Sequence, residues 1–305
     1  MNEMIQELVQ EKKKVFRLFF QEYGKVSAVF VILSVCLVSL LVLLSFASPK
    51  KLRVSFLDIG QGDAILIQTP SGKQMLVDGG PTQKVLEEVS KHVSYFDRDI
   101  DVVVATHPDA DHVTGLIPIL EKFKVDTIIL SPSTGHTGIY DDVKKHVQEE
   151  GAVVHIGARG DEIDFGDGVI AKILYPSKNY TEKKDDTNDA SVSMVIVYKD
   201  ESVLLTGDLP STEEGELMRA GLQKNITVYK AGHHGSKYSS GEQLLSYIKP
   251  EYVVVSAGKN NKYGHPNSET LDRLKIYSQE ILSTIDKGTI TFLLDGKGVE
   301  VETEK

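Results

Sequence analysis

The pattern of apolar and polar positions divides the chain near residue 50. Val26 to Ala47 carries no charged residue and is dominated by Val, Leu, Ile and Phe. A helix over that run is about 33 Å long at about 1.5 Å per residue, enough to cross a bilayer. Residues 1–25 are rich in Lys, Glu and Gln and predict a short solvated helix. Beyond residue 50 the period shortens. Leu52–Leu57 and Ala64–Ile67 predict two strands joined by a tight turn at Asp58–Asp63, and Met75–Val77 predicts a third. Val85, Val89 and Val93, spaced by four, predict a helix over 82–96. Val102–Ala105 is wholly apolar, as a strand covered on both faces requires.

A helix (113–122), strand (125–130), helix (139–150) and strand (152–156) follow. The second half opens on strands at 162–165 and 168–175. After a polar loop, Pro176–Asp189, come strands 191–198 and 202–207 and a helix at 211–220. A strand (226–231), helix (240–247), strand (252–256), helix (268–277) and a final strand pair near 281–293 complete the pattern. Each half starts with hairpin-like strands and then alternates with helices. The simplest α/β architecture is two sheets packed face to face with helices outside, one domain over 50–305.

Composition narrows the chemistry. With 41% hydrophobic and 26% charged residues, the chain is globular in character. Its net charge of -10 excludes a general electrostatic grip on nucleic acid or an anionic membrane. A phosphate-bearing substrate must therefore be held locally, by metal or by a few lysines. The single cysteine, Cys36, excludes an internal disulfide and, outside the apolar run, cysteine ligation and thiol catalysis. Lys12, Lys13, Lys14, Arg17 and Lys25 precede the apolar run, against Lys50, Lys51 and Arg53 after it. That excess predicts a cytoplasmic tail (1–25), a single membrane span (26–47) and a domain outside the cytoplasm. Ser45-Phe46-Ala47 would suit a signal peptidase, but the run exceeds a usual signal-peptide core, so an uncleaved anchor is expected.

Four strand ends carry metal-competent side chains. His107-Pro108-Asp109-Ala110-Asp111-His112 follows the buried strand 102–105, with nitrogen and oxygen donors suited to zinc or manganese. Helix capping needs one such residue, not four. If His107 and Asp109 point one way and Asp111 and His112 the other, the loop can hold two ions about 3.5–4 Å apart. Gly207-Asp208 ends a second apolar strand and offers a carboxylate to bridge them. Gly232-His233-His234-Gly235 ends a third, and His265 lies in a further strand-to-helix connection.

In their order, Asp78-Gly79-Gly80, His107-x-Asp109-x-Asp111-His112, Gly207-Asp208 and His233-His234 resemble the metallo-β-lactamase superfamily. Phe56-Leu57-Asp58-Ile59-Gly60-Gln61-Gly62-Asp63-Ala64, Asp109 and Gly232-His233-His234-Gly235-Ser236 are similar to the hydrolase domain of the ComEC competence DNA-uptake proteins. The resemblance covers residues 52–296 and implies the αββα metallo-β-lactamase sandwich, here preceded by one transmembrane helix. Two positions depart from the superfamily pattern. Asp109 stands where the superfamily has His, although the competence subfamily shares the Asp. The third-motif His is absent, its place falling near Thr187–Ser191. An oxygen-richer site shifts preference from zinc toward manganese. With one predicted span, the chain is expected to act as a separate hydrolase relative and not as the DNA channel of the full-length uptake proteins.

The resemblance implies two divalent ions, Zn or Mn. His107, Asp109 and Asp208 are expected to hold one; Asp111, His112, Asp208 and either His233 or His234 the other. Asp111 also counts among the expected catalytic residues, and the remaining His of the pair, or His265, is the expected general acid. Asp78 is expected to orient a ligand His. Asp63 either supports the site or shapes the Gly60–Gly62 turn. Lys237, Tyr238, Lys259 and Lys262 are candidates for holding a phosphodiester chain such as DNA. The leading expectation is phosphodiester hydrolysis outside the cytoplasm. Further expectations are a wall-polymer or choline-phosphate esterase, and a metal-poor binding protein on the same fold.

Overall fold

The computed structural model describes residues 2–47, 51–94, 96–135, 137–181 and 186–305. It comprises two compact units, Met1–Pro49 and Lys50–Lys305. The first unit contains one helix, α1 (Asn2–Ala47), whose residues Met4–Leu40 are long and apolar enough to cross a membrane. The expected separate tail helix and span are thus one uninterrupted helix. Nothing between them, neither Pro nor a polar cap, breaks the ladder.

In the second unit the chain first builds β1 (Leu52–Phe56), β2 (Ile65–Gln68), β3 (Gln74–Val77), β4 (Asp99–Ala105), β5 (Lys124–Leu130) and β6 (Val153–Ile156). It then builds β7 (Glu162–Asp164), β8 (Val169–Tyr175), β9 (Ser193–Tyr198), β10 (Glu201–Leu205), β11 (Val228–Lys230), β12 (Tyr252–Val255) and β13 (Glu280–Ser283) as a second sheet. β14 (Ile290–Leu294) and β15 (Val299–Thr303) return to the first, giving the order β15-β14-β1-β2-β3-β4-β5-β6. The second sheet runs β13-β12-β11-β10-β9-β8-β7. Each sheet is antiparallel where its half begins and parallel where helices intervene, from β3 to β6 and from β10 to β13.

Two elements differ from the sequence pattern. The expected final pair is not a pair: β13 extends the second sheet beside β12, whereas β14 joins β1 in the first. A one-turn helix, Thr284–Lys287, intervenes where the chain passes from one sheet to the other. The expected helix 113–122 is also two pieces, broken at Thr114–Gly115. There a Cβ on Gly115 would lie 1.9 Å from the Gly79 carbonyl oxygen, so the Gly79-Gly80 loop presses directly on the break.

Strand alternation builds the layers. In β2, Ile65 and Ile67 face the space between the sheets while Leu66 faces outward; in β4, Val102 and Val104 face inward while Val103 and Ala105 face outward. The outward side of the first sheet packs under α2 (Lys84–His92), α3 (Ala110–Val113), α4 (Leu116–Lys122) and α5 (Gly138–Glu150), through Val85, Val89, Val113, Ile119 and Val143. The second sheet mirrors this. Leu204, Tyr229 and Val253 pack under α6 (Glu214–Arg219), α7 (Glu242–Ile248) and α8 (Ser268–Tyr277) through Leu217, Leu245 and Leu274. Between the sheets Phe56 and Phe292 meet edge to face at 5.9 Å. Each such buried ring contributes about 1.5–3 kcal/mol over its exposed state. The layers are helix, sheet, sheet, helix. The parallel strands β3, β4 and β11 and the adjoining β10 each end in a loop carrying His or Asp.

Candidate metal centre

Every site loop follows a buried strand, so packing fixes where its side chains begin. Asp78, directly after β3, takes a left-handed backbone (φ 60°), and its N–H donates to Val104 O at 2.8 Å. Its carboxylate accepts from Thr106 N at 2.8 Å and Thr106 Oγ1 at 2.7 Å, and it lies 2.8 Å from His112 Nδ1. Gly62 admits a close approach: a Cβ there would lie 2.0 Å from the Asp111 carbonyl oxygen. That contact brings the loop carrying Asp63 against the loop carrying Asp111. His233 (φ 48°) and His234 (φ 55°) are two successive left-handed residues. Such positions cost about 1–3 kcal/mol each and persist where the surroundings impose them.

Three imidazoles converge. His107, His112 and His234 are buried, with the His107 and His112 rings 4.0 Å apart and the His112 and His234 rings 5.2 Å apart. One oxygen of Asp208, Oδ2, lies 3.3 Å from His112 Nε2, 3.4 Å from His234 Nε2 and 3.6 Å from His233 Nε2. Asp111 Oδ2 lies 3.5 Å from His234 Nε2.

The partners of the Nδ1 atoms decide what the rings can do. His112 Nδ1 faces the Asp78 carboxylate, and His234 Nδ1 lies 3.0 Å from the Ser256 carbonyl. His107 Nδ1 lies 3.0 Å from Thr106 Oγ1, whose proton goes to Asp78. Each Nδ1 therefore donates, which turns each Nε2 toward the centre of the site, where its lone pair is available to an ion once any proton there is displaced. All three Nε2 atoms are buried without a hydrogen-bond partner. Buried polar atoms without partners are rare, and lone pairs aimed at one carboxylate oxygen form a donor set for a divalent cation. The groups that close within 4.8 Å are His107-His112-Asp208, Asp111-His112-His234, Asp63-Asp208-His234 and Asp63-Asp78-His112. The residues present fit the implied metal.

Electrostatics point the same way. Burial pushes the His112 and His234 imidazoles down, but Asp208 with Asp78, and Asp208 with Asp63, outweigh it and raise both well above the usual range. Burial favours a protonated Asp208, yet His234 and His112 hold its carboxyl well below the usual range. Burial and the neighbouring His112 depress His107. A field negative enough to hold protons on two imidazoles also attracts divalent cations, which displace those protons on binding.

The other expected residues fall as follows. Asp109 lies outside the four groups. Its Oδ2 is 4.0 Å from His107 Nε2, its side chain is 40% exposed, and Thr187 Oγ1 donates to its Oδ1. His112 closes with His107 and Asp208 as well as with Asp111 and His234, so it borders both halves of the expected division. The short helix α3 starts at Ala110 and turns His112 back over His107. His233 is 28% exposed. His265 stands beside it, with ring centroids 5.5 Å apart, and the Tyr263 ring stacks on His265 at 5.9 Å. Tyr238 and Tyr263 are exposed; Lys237 lies over the first ring at 5.0 Å and Lys262 over the second at 4.9 Å. Lys259 is exposed.

Sequence reasoning missed Lys230. It is fully buried at the end of β11 and ion-paired to Asp63 Oδ2. Its Nζ lies 3.2 Å from the Gly207 carbonyl and 3.6 Å from Asp208 Oδ1. Burial lowers the Lys230 ammonium, but Asp63 and Asp208 outweigh it and raise it. The signal was present: Lys230 is the single charge in the run Ile226–Ala231. The same ion pair draws Asp63 into the site rather than leaving it in the turn.

Residues 57–259 match the metallo-beta-lactamase superfamily. The chain is 29% identical over 257 residues to ComE operon protein 3 of Bacillus subtilis (strain 168), covering 79% of this chain and 33% of that protein. It is 28% identical over 253 residues to competence protein ComA of Neisseria gonorrhoeae, covering 82% of this chain and 33% of that protein. Exodeoxyribonuclease WalJ of Streptococcus pneumoniae is 24% identical over 131 residues, 41% of this chain and 47% of that protein. This chain spans about a third of the length of the two competence relatives. Among solved structures, CmlA, a diiron β-hydroxylase from Streptomyces venezuelae, superposes with a TM-score of 0.52 at 15% identity. It covers 81% of this chain and 55% of its own; the likeness is one of fold.

Proposed function

Because the chain belongs to the metallo-β-lactamase superfamily, we propose that it is a metal-dependent phosphodiesterase, anchored by α1, that cleaves nucleic acid outside the cytoplasm. The observation that carries the reading is the set of three buried Nε2 atoms, without partners, of which those of His112 and His234 lie against Asp208 Oδ2. His107, His112 and Asp208 would hold one ion and Asp111, His234 and Asp208 the other, with Asp109 beside the first at 4.0 Å from His107 Nε2. Zinc and manganese both suit these donors, and the three aspartates among them favour manganese. When bound, such ions activate water and neutralise charge developing on a phosphoryl oxygen.

The chain's own residues do the rest. Asp78 and the Ser256 carbonyl hold His112 and His234 in the donating orientation. His233, partly open to solvent, and His265 beside it are placed to deliver a proton to a leaving oxygen. Tyr238 and Tyr263 are exposed rings on which bases could stack once Lys237 and Lys262, which lie over them, turn to the phosphates. This open aromatic rim favours a polymer over the small headgroup of an esterase. It also supplies the local positive charge that a chain of net charge -10 otherwise lacks. The deoxyribonuclease named among the relatives supports the same substrate class.

The test uses the full chain in detergent with manganese or zinc, assayed on linear DNA, a model phosphodiester and a β-lactam. Cleavage of the first two, loss with chelator and a drop of at least about 100-fold in Asp208→Ala are expected. Uncut DNA and uncut phosphodiester with a hydrolysed β-lactam, lactone or thioester would end the proposal.

A further inference from the structure

Lys230 has no part in the chemistry above, yet it sits at the centre of the site's architecture. It is a lysine with no solvent exposure, and its ammonium reaches three separate places. It pairs with Asp63 Oδ2 from the loop after β1, donates to the Gly207 carbonyl at 3.2 Å, and lies 3.6 Å from Asp208 Oδ1. It therefore bonds the backbone turn before the bridging aspartate and sets its charge on the Oδ1 side of that carboxylate, beyond hydrogen-bond distance. The consequence is visible in Asp208 itself. Oδ1 faces the lysine, whereas Oδ2 faces the Nε2 atoms of His112, His233 and His234.

We propose that Lys230 is a positioning residue that confines Asp208 to ligation through Oδ2 alone and sets the carboxylates in place before any ion arrives. The inference rests on the proposed two-metal reading. Charge supports it. Asp63, Asp78, Asp109, Asp111 and Asp208 bring five negative charges, which two divalent ions and one ammonium neutralise while the imidazoles stay neutral. The lysine is also sealed from solvent, so it cannot serve as a phosphate contact like Lys237 or Lys262. A buried ammonium is retained where it is paired, and here both partners belong to the metal loops.

A structural ion pair with Asp63 alone is the competing account, and two variants separate the two. Lys230→Met leaves Asp63 buried without a cation, so the metal-free chain should melt about 10 °C lower. Lys230→Met with Asp63→Asn removes both charges of that pair and should recover most of the melting temperature. Manganese titration followed by electron paramagnetic resonance then reads the Asp208 bridge directly. The wild-type chain should take up two ions with the signature of a coupled pair. The double variant should bind the second ion 10–100-fold more weakly, with the coupling altered, because the Gly207 carbonyl loses its donor and Oδ1 of Asp208 loses the facing charge; Asp63→Asn alone should keep the coupled signature. A double variant with wild-type affinity and coupling overturns the role of Lys230 and leaves the two-metal reading intact. A wild-type chain that takes up no manganese or zinc overturns that reading, and this inference with it.

Discussion

At the scale of single residues, the site is governed by what lies behind each donor. His107, His112 and His234 matter because Thr106, Asp78 and Ser256 fix their Nδ1 atoms. Away from the metal loops, Glu214 illustrates a buried carboxyl with a different cause. It accepts from Ser240 N at 2.6 Å and Gly241 N at 2.8 Å, bonds that favour its ionised form. Burial outweighs them and pushes its carboxyl up to about 7. Raised above the unfolded value of 4.5, it makes the folded chain bind protons more tightly than the unfolded one. Its contribution is fully present below about pH 4.5 and is lost as pH rises through 7. At about 1.36 kcal/mol per unit, the loss across that window is about 3 kcal/mol. Thermal melts of wild type and Glu214→Gln at pH 5 and pH 7.5 check this. The variant should lose less stability than wild type on going to the higher pH; equal losses would show that Glu214 does not titrate in this range.

At the scale of elements, the strands were legible wherever both faces are buried. Val102–Ala105 and Tyr252–Ser256 read directly as β4 and β12, because a strand between two packed layers has no polar face to confuse it. Strand β15 was missed although Val299-Glu300-Val301-Glu302-Thr303 alternates cleanly. It is an edge strand with one exposed face, and its partner β14 had been assigned to a pairing with β13. The break between α3 and α4 was not legible, since it is imposed by the Gly79-Gly80 loop, distant in sequence. The candidate site was legible as residue types at strand ends, but its grouping was not. Which side of the loop His112 occupies depends on Asp78, and the place of Asp63 depends on Lys230. Both are contacts across the fold that no local pattern carries.

Across the whole molecule, the two units differ in kind: one is a single apolar helix, the other a folded domain. Met4–Leu40 of α1 is long and apolar enough to cross a membrane, and Lys12, Lys13, Lys14, Arg17 and Lys25 precede its apolar run against Lys50, Lys51 and Arg53 directly after it. The domain is therefore predicted to lie outside the cytoplasm. Protease added to intact protoplasts should digest the domain, and full protection until the membrane is broken would reverse the orientation. In the domain, the buried histidines and Asp208 are proposed to form a two-metal site. Elemental analysis of the purified chain after metal loading and removal of free ions tests it most directly. The account predicts two equivalents of zinc or manganese in the wild type and at most one in Asp208→Ala. A wild-type chain without bound metal, or an Asp208→Ala chain that keeps both ions, would contradict it.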